Sequence, residues 1–497
     1  MKRGFLNKPN ALSKASTEYS SNTVKSQIPA VINLADQSKE VGGLKKGRVD
    51  VGDFKAQGYE IKPNDGKKLD YPDDAWITST QPTQKLGATL ADDPDGWAEC
   101  FISGRAKRAI VSVPGFPEAL PRPDPSRPKP YKIVETPGKG MGMFATRDIE
   151  WGELIIAERP LLVIPSAIRY MGALAFPANF TRDQLQQAQL DQMEKLIEML
   201  VNRMPKENQE AYKKLANCHQ EDGSGPLFGI SMTNSFALGD YYEPEIPGYP
   251  EVATRYSGTC NEISRVNHSC RPNTQGDWDS PTFSFQLRAS KPIKKGEEIT
   301  LTYISDRVVE PTSERQRQLA SYGFTCTCEA CSNPEISDPR SNALKELLKP
   351  TFNLMMMDWI NPTTGKGIGA PATSSGTIMP GMMSMGMANQ LGQNTIEPAL
   401  KGLKLLEEEG LYGSMEYGDL LGRVMLGYNV IALSSKEKRW EAKQWNDKYK
   451  RYKELFKSAR NAKRRKEKEC EEVVKKNEKE DFNKLVDEMK KKMNLRA

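Results

Sequence analysis

Three cysteines fall within six residues, Cys326, Cys328 and Cys331, in the run Thr325-Cys-Thr-Cys-Glu-Ala-Cys. Thiolates this close suit tetrahedral zinc, and a closed structural site takes four ligands. Cys270, Cys260, His268, Cys218 and His219 are the candidates for the fourth. Upstream, Gly138-Lys-Gly-Met-Gly-Met-Phe-Ala145 fits G-x-G-x-x-A from Gly140, the pattern of a dinucleotide-binding loop. That chemistry requires a helix to open directly after the loop. Here Thr-Arg-Asp-Ile-Glu-Trp-Gly152 follows and reads as a turn into another strand, so the dinucleotide reading fails. What remains is a main chain nearly bare of side chains, against which a ligand can lie. Asn267-His-Ser-Cys-Arg-Pro-Asn273 sets one of the chain's two histidines among polar residues. Gly296-Glu-Glu-Ile-Thr-Leu-Thr-Tyr303 alternates with period two, which places Tyr303 at the end of a strand. Taken singly, each has an ordinary explanation: a glycine hairpin, a satisfied structural histidine, a sheet aromatic.

The elements that must position these residues are short. β-type runs broken by glycine cover Tyr131–Val134, Gly142–Ala145, Glu153–Ile156 and Pro160–Ile164. A helical insertion at 165–229 follows: Thr181 and Gln184 form a capping box, and Leu185, Met193, Leu196, Ile197 and Leu200 recur at helical spacing. A second helix fits Lys206–Asn217. Strand-like runs return at Ile230–Leu238, Thr282–Arg288 and Glu298–Ile304. Before this domain, residues 1–130 read as a mostly disordered region that ends in seven prolines between 114 and 130, a stiff linker. After it, 336–435 reads as helical, interrupted by a Met- and Gly-rich loop at 361–394. Residues 436–497 form a charged basic helix with 23 Lys+Arg against 13 Asp+Glu.

Composition excludes several classes. The chain has 497 residues, 37% of them hydrophobic and 27% charged, with a net charge of +6 and eight cysteines. Two histidines exclude a large His-based metal cluster. The opening Met-Lys-Arg-Gly-Phe-Leu-Asn-Lys lacks the apolar core of a secretory signal, so the expected compartment is reducing and the clustered thiols read as metal ligands rather than disulfides. No stretch approaches the roughly 20 apolar residues of a membrane span. The basic excess resides in the C-terminal segment. Its Lys463-Arg-Arg-Lys466 cluster offers a nuclear-import signal or a nucleic-acid patch, against the plainer reading of a solvated helix face.

The four segments, in this order, resemble the SET-domain protein-lysine methyltransferases. They are most similar to fungal proteins related to the SET-and-MYND branch but without the MYND finger, for which the insertion has too few zinc ligands. The resemblance covers roughly 131–335. It implies an α+β, β-rich SET fold of small sheets with a pseudoknot, a zinc-bound post-SET segment at 322–332 and a helical C-terminal region. It further implies S-adenosyl-L-methionine as methyl donor, bound by Lys139, Gly140, Gly142, Ser264, Asn267, His268 and Phe324. The lysine channel would be formed by Phe236, Tyr303 and Tyr322, with Tyr303 as the catalytic residue. Among the open zinc candidates, the family pattern selects Cys270 to join Cys326, Cys328 and Cys331. The implied activity is methylation of a lysine on a protein substrate, histone or non-histone, in the nucleus or cytoplasm, with chromatin contact through the basic tail. A SET-like scaffold with little turnover, acting through its C-terminal helices and tail, is the competing reading.

Overall fold

Glycines and prolines cut the β-rich half of the chain into strands of two to eight residues, too short to bury a core singly, so they assemble into three small sheets. The computed structural model describes residues 47–56, 72–84, 88–166, 176–242, 255–304, 308–349, 385–432 and 437–455. The strands are β1 (Trp76–Gln81), β2 (Ala98–Ser103), β3 (Tyr131–Thr136), β4 (Gly140–Ala145), β5 (Leu154–Glu158), β6 (Leu162–Pro165), β7 (Ser235–Tyr242), β8 (Arg255–Thr259), β9 (Asn267–His268), β10 (Thr274–Asp279), β11 (Ser284–Ala289) and β12 (Glu298–Leu301). They pair in the orders β1-β2-β6-β8-β7, β10-β11-β5 and β3-β4-β12-β9. Most neighbours are antiparallel. The exceptions are β2 with β6, and β12 with β9, where Thr300 lies beside Asn267 and Leu301 beside His268. One continuous core, including Met143, Ile155, Val163, Tyr256, Phe285 and Ile299, fills the space among the sheets.

The N-terminal region departs from the expected disorder. β1 and β2 form an antiparallel hairpin-like pair that extends the largest sheet, followed by helix α1 (Gly104–Val111). The strand Trp76-Ile-Thr-Ser-Thr-Gln81 looks polar, yet it is largely buried: Ser79, Thr80 and the Gln81 amide nitrogen are bonded internally, while Thr78 Oγ1 and Gln81 Oε1 are buried without a partner. Thr80 donates to Glu99 at 3.0 Å, Gln81 donates to Ser79 at 2.9 Å, and Arg203 pairs with Glu99 at 2.8 Å. A polarity pattern cannot reveal such a strand. The proline-rich stretch is likewise held in place: Arg159 donates to the Glu118 carbonyl and Asp95 accepts the Leu120 N–H.

The insertion contains α2 (Arg182–Arg203), α3 (Lys206–Lys213) and α4 (Pro226–Asn234). Thr181 and Gln184 form the reciprocal capping box at the start of α2. Met193, Leu196, Ile197 and Leu200 are buried against Phe101, Leu162 and Ile164. α3 stops at Lys213, short of the expected Asn217. Ile230–Asn234, expected as strand, is helical. The cause is a cap from elsewhere in the chain: the Glu194 carboxylate of α2 accepts the N–H groups of Leu227 and Phe228 at 3.1 and 2.7 Å. Proline begins the helix, where its missing N–H costs nothing.

The C-terminal half is helical: α5 (Thr312–Leu319), α6 (Glu329–Ser332), α7 (Pro334–Leu347), α8 (Met385–Glu408), α9 (Met415–Ala432) and α10 (Lys438–Leu455). The expected Met-rich loop is therefore cut short, since Met385 begins a helix, and 361–384 lie outside the described residues. So do 456–497, including Lys463–Lys466. Among the described residues no helix is long and apolar enough to cross a membrane.

One buried polar cluster joins the two halves. Arg271, next to Cys270, pairs through Nε with Glu409 and donates to the Cys270 carbonyl and to Ser337. Arg340 reaches the same carboxylate at 2.9 Å. Burial opposes the charge on Glu409, but Arg271 and Arg340 more than offset it and hold its pKa below the ordinary carboxylate value. Removing one partner strands the other charge, which costs about 3–5 kcal/mol. Glu409→Ala should lower unfolding free energy by about that amount at neutral pH, measured by urea denaturation. Because the folded-state pKa is depressed, this contribution is present at neutral pH and disappears as pH falls through the acid range. The gap between wild type and variant should narrow there.

Candidate active site and thiol cluster

The parallel pairing of β9 with β12 gathers the site. Ser269 N–H donates to the Leu301 carbonyl at 2.8 Å, continuing the ladder. His268 is thereby set beside the chain leaving β12, and its Nδ1 accepts the Tyr303 N–H at 3.0 Å. Nδ1 thus carries no proton, and Nε2 is left to face Cys270 Sγ at 3.3 Å. The Tyr303 hydroxyl donates to the Val266 carbonyl at 2.9 Å, so the phenolic oxygen keeps its lone pairs for another donor. Burial, reinforced by Tyr322 and Glu298, pushes the Tyr303 pKa well above that of a free phenol. Tyr303 is neutral at physiological pH.

Aromatic rings enclose this hydroxyl. Tyr322 lies 4.9 Å from Tyr303 between ring centroids, His268 lies 5.3 Å away, and Phe324 meets Tyr303 edge-on at 6.3 Å. Phe324 also packs on His268 at 6.1 Å and remains 37% exposed, which leaves a face for a ligand. Tyr322 ends a 3-10 turn at Ala320–Tyr322, and Gly323, at φ +72°, reverses the chain so that both flanking rings return to the same place. Phe236 of β7 packs on Phe285 at 5.3 Å and borders the same core as Tyr303.

The glycine segment lies on the next strand. A Cβ at Gly142 would fall 2.6 Å from Thr136 Oγ1 and 3.0 Å from Asn267 Nδ2. Thr136 Oγ1 is buried without a hydrogen-bond partner. A narrow cradle with an orphaned polar atom fits a ligand lying against the backbone of β4. Glu298 organises its rim, accepting from Asn267 Nδ2 at 2.8 Å and pairing with Lys139 at 3.3 Å. Gly140 is exposed in the turn that enters β4. Ser264 takes another part: its hydroxyl donates to the Asn234 carbonyl and accepts the Cys260 N–H. It ties the 3-10 turn at Ile263–Arg265 to the end of α4 and so acts on the fold. Asn234 likewise caps locally, donating to the Ala216 and Ile230 carbonyls. Val266, Thr136 and Glu298 were not identified from sequence. A backbone acceptor such as the Val266 carbonyl leaves no residue-type signature.

The fourth thiol is Cys270. Its sulfur and those of Cys326, Cys328 and Cys331 all lie within 4.8 Å of one another. The separations from Cys270 are 3.5 Å to Cys331 and 4.0 Å to Cys326, where a tetrahedron with Zn–S near 2.3 Å has edges of about 3.8 Å. Hydrogen bonding from Cys270 and then Cys326 lowers the pKa of both Cys328 and Cys331, the latter to about 7. The fully buried Arg315 places its guanidinium 3.8 Å from Cys331 Sγ, a counter-charge suited to an anionic four-thiolate site. The donor set fits zinc. Cys218, His219, Cys260 and His268, also candidates from sequence, stand outside the thiol cluster. Gln316 of α5 fastens Cys326 by two backbone hydrogen bonds, at 2.7 and 2.9 Å.

Residues 140–304 match the SET domain model. The chain carries a SET domain. It is similar to the histone-lysine N-methyltransferase set5 of Schizosaccharomyces pombe, 32% identical over 220 residues, which is 43% of this chain and 56% of that protein. It also resembles the human histone-lysine N-methyltransferase SMYD1, 31% identical over 137 residues, 25% of this chain and 26% of that one. The SET domain and MYND-type zinc finger protein 6 of S. pombe is 42% identical over 72 residues, 14% of each chain. The chain thus spans about half the length of set5, about a quarter of SMYD1 and 14% of the third. Within the matched residues, Tyr303, Asn267, His268 and Cys270 lie together, and Tyr322, Phe324 and the three other thiols join them from just beyond.

Stripping metal with a chelator should release the segment carrying Tyr322 and Phe324. The expected result is near one equivalent of zinc bound by the purified protein, and a lower melting temperature once it is removed. The same loss should follow Cys326→Ser, checked by metal analysis and calorimetry.

Proposed function

We propose that this chain is an S-adenosylmethionine-dependent protein-lysine N-methyltransferase. The observation that carries the reading is Tyr303: a neutral phenol, anchored on the Val266 carbonyl, with free lone pairs inside a ring of Tyr322, His268 and Phe324. S-adenosylmethionine, when bound, supplies a methyl group on a positively charged sulfonium. Gly142, Thr136, Asn267 and the exposed face of Phe324 are the groups suited to hold it.

The chain's own residues then account for the acceptor side. A lysine ammonium has a reference pKa near 10.4, and only its neutral amine is nucleophilic. An aromatic enclosure disfavours the ammonium by desolvation. Tyr303 Oη, already donating to Val266, accepts an N–H from the entering amine and fixes the direction of its lone pair. Catalysis of this type rests on orientation, worth many powers of ten when reacting atoms are held in line. Its rigidity comes from the His268 and Val266 hydrogen bonds on either side of Tyr303. Similarity to histone-lysine N-methyltransferases of S. pombe and human supports a protein lysine as acceptor and makes histones the first substrates to test. Action in the nucleus, with the basic C-terminal segment contacting chromatin, belongs to the same proposal.

Tyr303→Phe removes one oxygen and leaves the packing intact. It should reduce methyl transfer to histones by about a hundred-fold or more while leaving S-adenosylmethionine affinity within about two-fold. Labelled-cofactor turnover and titration calorimetry check the two halves separately. An unimpaired variant would remove Tyr303 from the mechanism.

A further inference from the structure

A carboxylate that the methyltransferase reading leaves unused sits one turn of main chain behind the phenol. Glu158 is the last residue of β5, and β5 is held against β11 up to that point, where Glu158 lies beside Phe285. A paired strand thus delivers the side chain. Oε1 accepts the N–H groups of Asn261 at 2.7 Å and Glu262 at 3.0 Å. Oε2 accepts that of Ile263 at 2.9 Å and shares that of Glu262 at 3.1 Å. Three consecutive backbone donors converge on one carboxylate. Bonds to an ionised acceptor are roughly twice as strong as neutral ones.

The clamped backbone leads to the group that anchors Tyr303. The Ile263 carbonyl takes the N–H of Val266 at 3.1 Å, and the Val266 carbonyl takes the proton of Tyr303 Oη at 2.9 Å. Glu158 and Tyr303 are therefore joined through the Ile263–Arg265 turn alone. Ser264 ties the middle of that turn to Asn234, and the Glu262 side chain bonds Tyr131 Oη and Lys129. Neither of them takes the N–H groups of Asn261, Glu262 or Ile263. Those belong to Glu158.

Glu158 stands away from the reacting groups. Its side chain lines a cleft with Trp97, Leu120 and Tyr131, and none of Tyr303, Tyr322, His268 or Phe324 borders that cleft. Burial pushes the Glu158 pKa up to about 7, while the three N–H donors favour the carboxylate and the charge of Glu262 disfavours it.

We propose that Glu158 is a positioning residue for methyl transfer: by holding Asn261–Ile263 it fixes the Val266 carbonyl and, through it, the direction in which Tyr303 Oη presents its lone pairs. The effect on rate rests on the methyltransferase reading; the effect on the phenol does not. In Glu158→Gln one acceptor oxygen becomes an NH2 group that opposes the backbone donors, with side-chain volume almost unchanged.

The test uses the full, zinc-loaded chain in mildly alkaline buffer, where Glu158 is a carboxylate. Glu158→Gln should lower kcat for a histone peptide about ten-fold, with peptide KM and S-adenosylmethionine affinity within about two-fold of wild type, because orientation is lost and binding is not. In the Tyr303→Phe background no hydroxyl remains to be anchored, so the same change should lower kcat by less than about two-fold. A full further loss in that background shows a general effect on the fold and overturns the proposal. So does an equal fall in Glu262→Gln, which removes a neighbouring charge and leaves the three N–H bonds in place. A second readout needs no turnover. With isotope-labelled tyrosine, the NMR signal of Tyr303, recognised by its absence in Tyr303→Phe, should shift in Glu158→Gln, and an unmoved signal overturns the proposal. Absence of methyl transfer by wild type overturns the methyltransferase reading and the rate effect with it, while the NMR signal still decides whether Glu158 sets the phenol. Should Glu158→Gln not fold, Glu158→Asp, whose carboxylate falls short of the backbone donors, replaces it in each measurement.

Discussion

Two residues of parallel strand hold this site together. Asn267 and His268 lie beside Thr300 and Leu301, and from that pairing each functional contact follows. Asn267 is aimed at the rim of the glycine cradle, where it binds Glu298. His268 accepts the Tyr303 N–H, and Cys270, two residues on, enters the thiol cluster. A parallel pair cannot be closed by a tight turn. The chain must travel from β9 through β10 and β11 before returning as β12, so the site cannot form until those strands have folded. Its geometry is therefore a property of the whole β-domain.

So short a pairing is weak by itself, and the surrounding structure restrains it at both ends. On one side the Cys270 sulfur joins three thiols from the segment after α5, and a metal there would convert two separate pieces of chain into one rigid unit. On the other side Arg271 is buried against Glu409 and Ser337. Adjacent residues thus tie the site to the thiol cluster and to the C-terminal helices. The helices supply no group to the chemistry, yet they fix the backbone that carries it. The Arg271–Glu409 pair is best understood as a positional lock, because burying two charges contributes little net stability unless the geometry is needed.

What could be read in the sequence follows from which interactions are local. The Thr181 capping box and the cysteine triplet are set by residues within a few positions of one another, and each is found in the structure; the strand expected to reach Tyr303 ends two residues earlier, at Leu301. Choosing Cys270 as the fourth thiol needed the family resemblance, because nothing local connects it to residues 56 positions away. Interactions across the fold were hidden. The start of α4 depends on Glu194, over thirty residues earlier, so Ile230–Asn234 looked like strand. β1 buries threonine, serine and glutamine; Thr80 finds its partners on β2 and α2, and Gln81 bonds Ser79 within the strand, so the segment looks disordered in sequence. Ser264 has the right type and place for a ligand contact, but its hydroxyl is committed to Asn234 and Cys260. Residue type indicates what a side chain can bond to; only the fold determines whether that capacity is still free.

The same distinction explains the anatomy of the channel. Tyr303 can orient an incoming amine because its proton is already committed to a backbone carbonyl, and a side-chain acceptor there would bring its own charge or mobility. The Val266 carbonyl adds neither. It is held by the turn at Ile263–Arg265, which Ser264 ties to α4, and α4 begins at the carboxylate of Glu194. The orientation of one phenol is thus set by a chain of satisfied backbone groups reaching into the helical insertion. An apolar substitution at Glu194 of α2 would loosen it without touching any residue that lines the site.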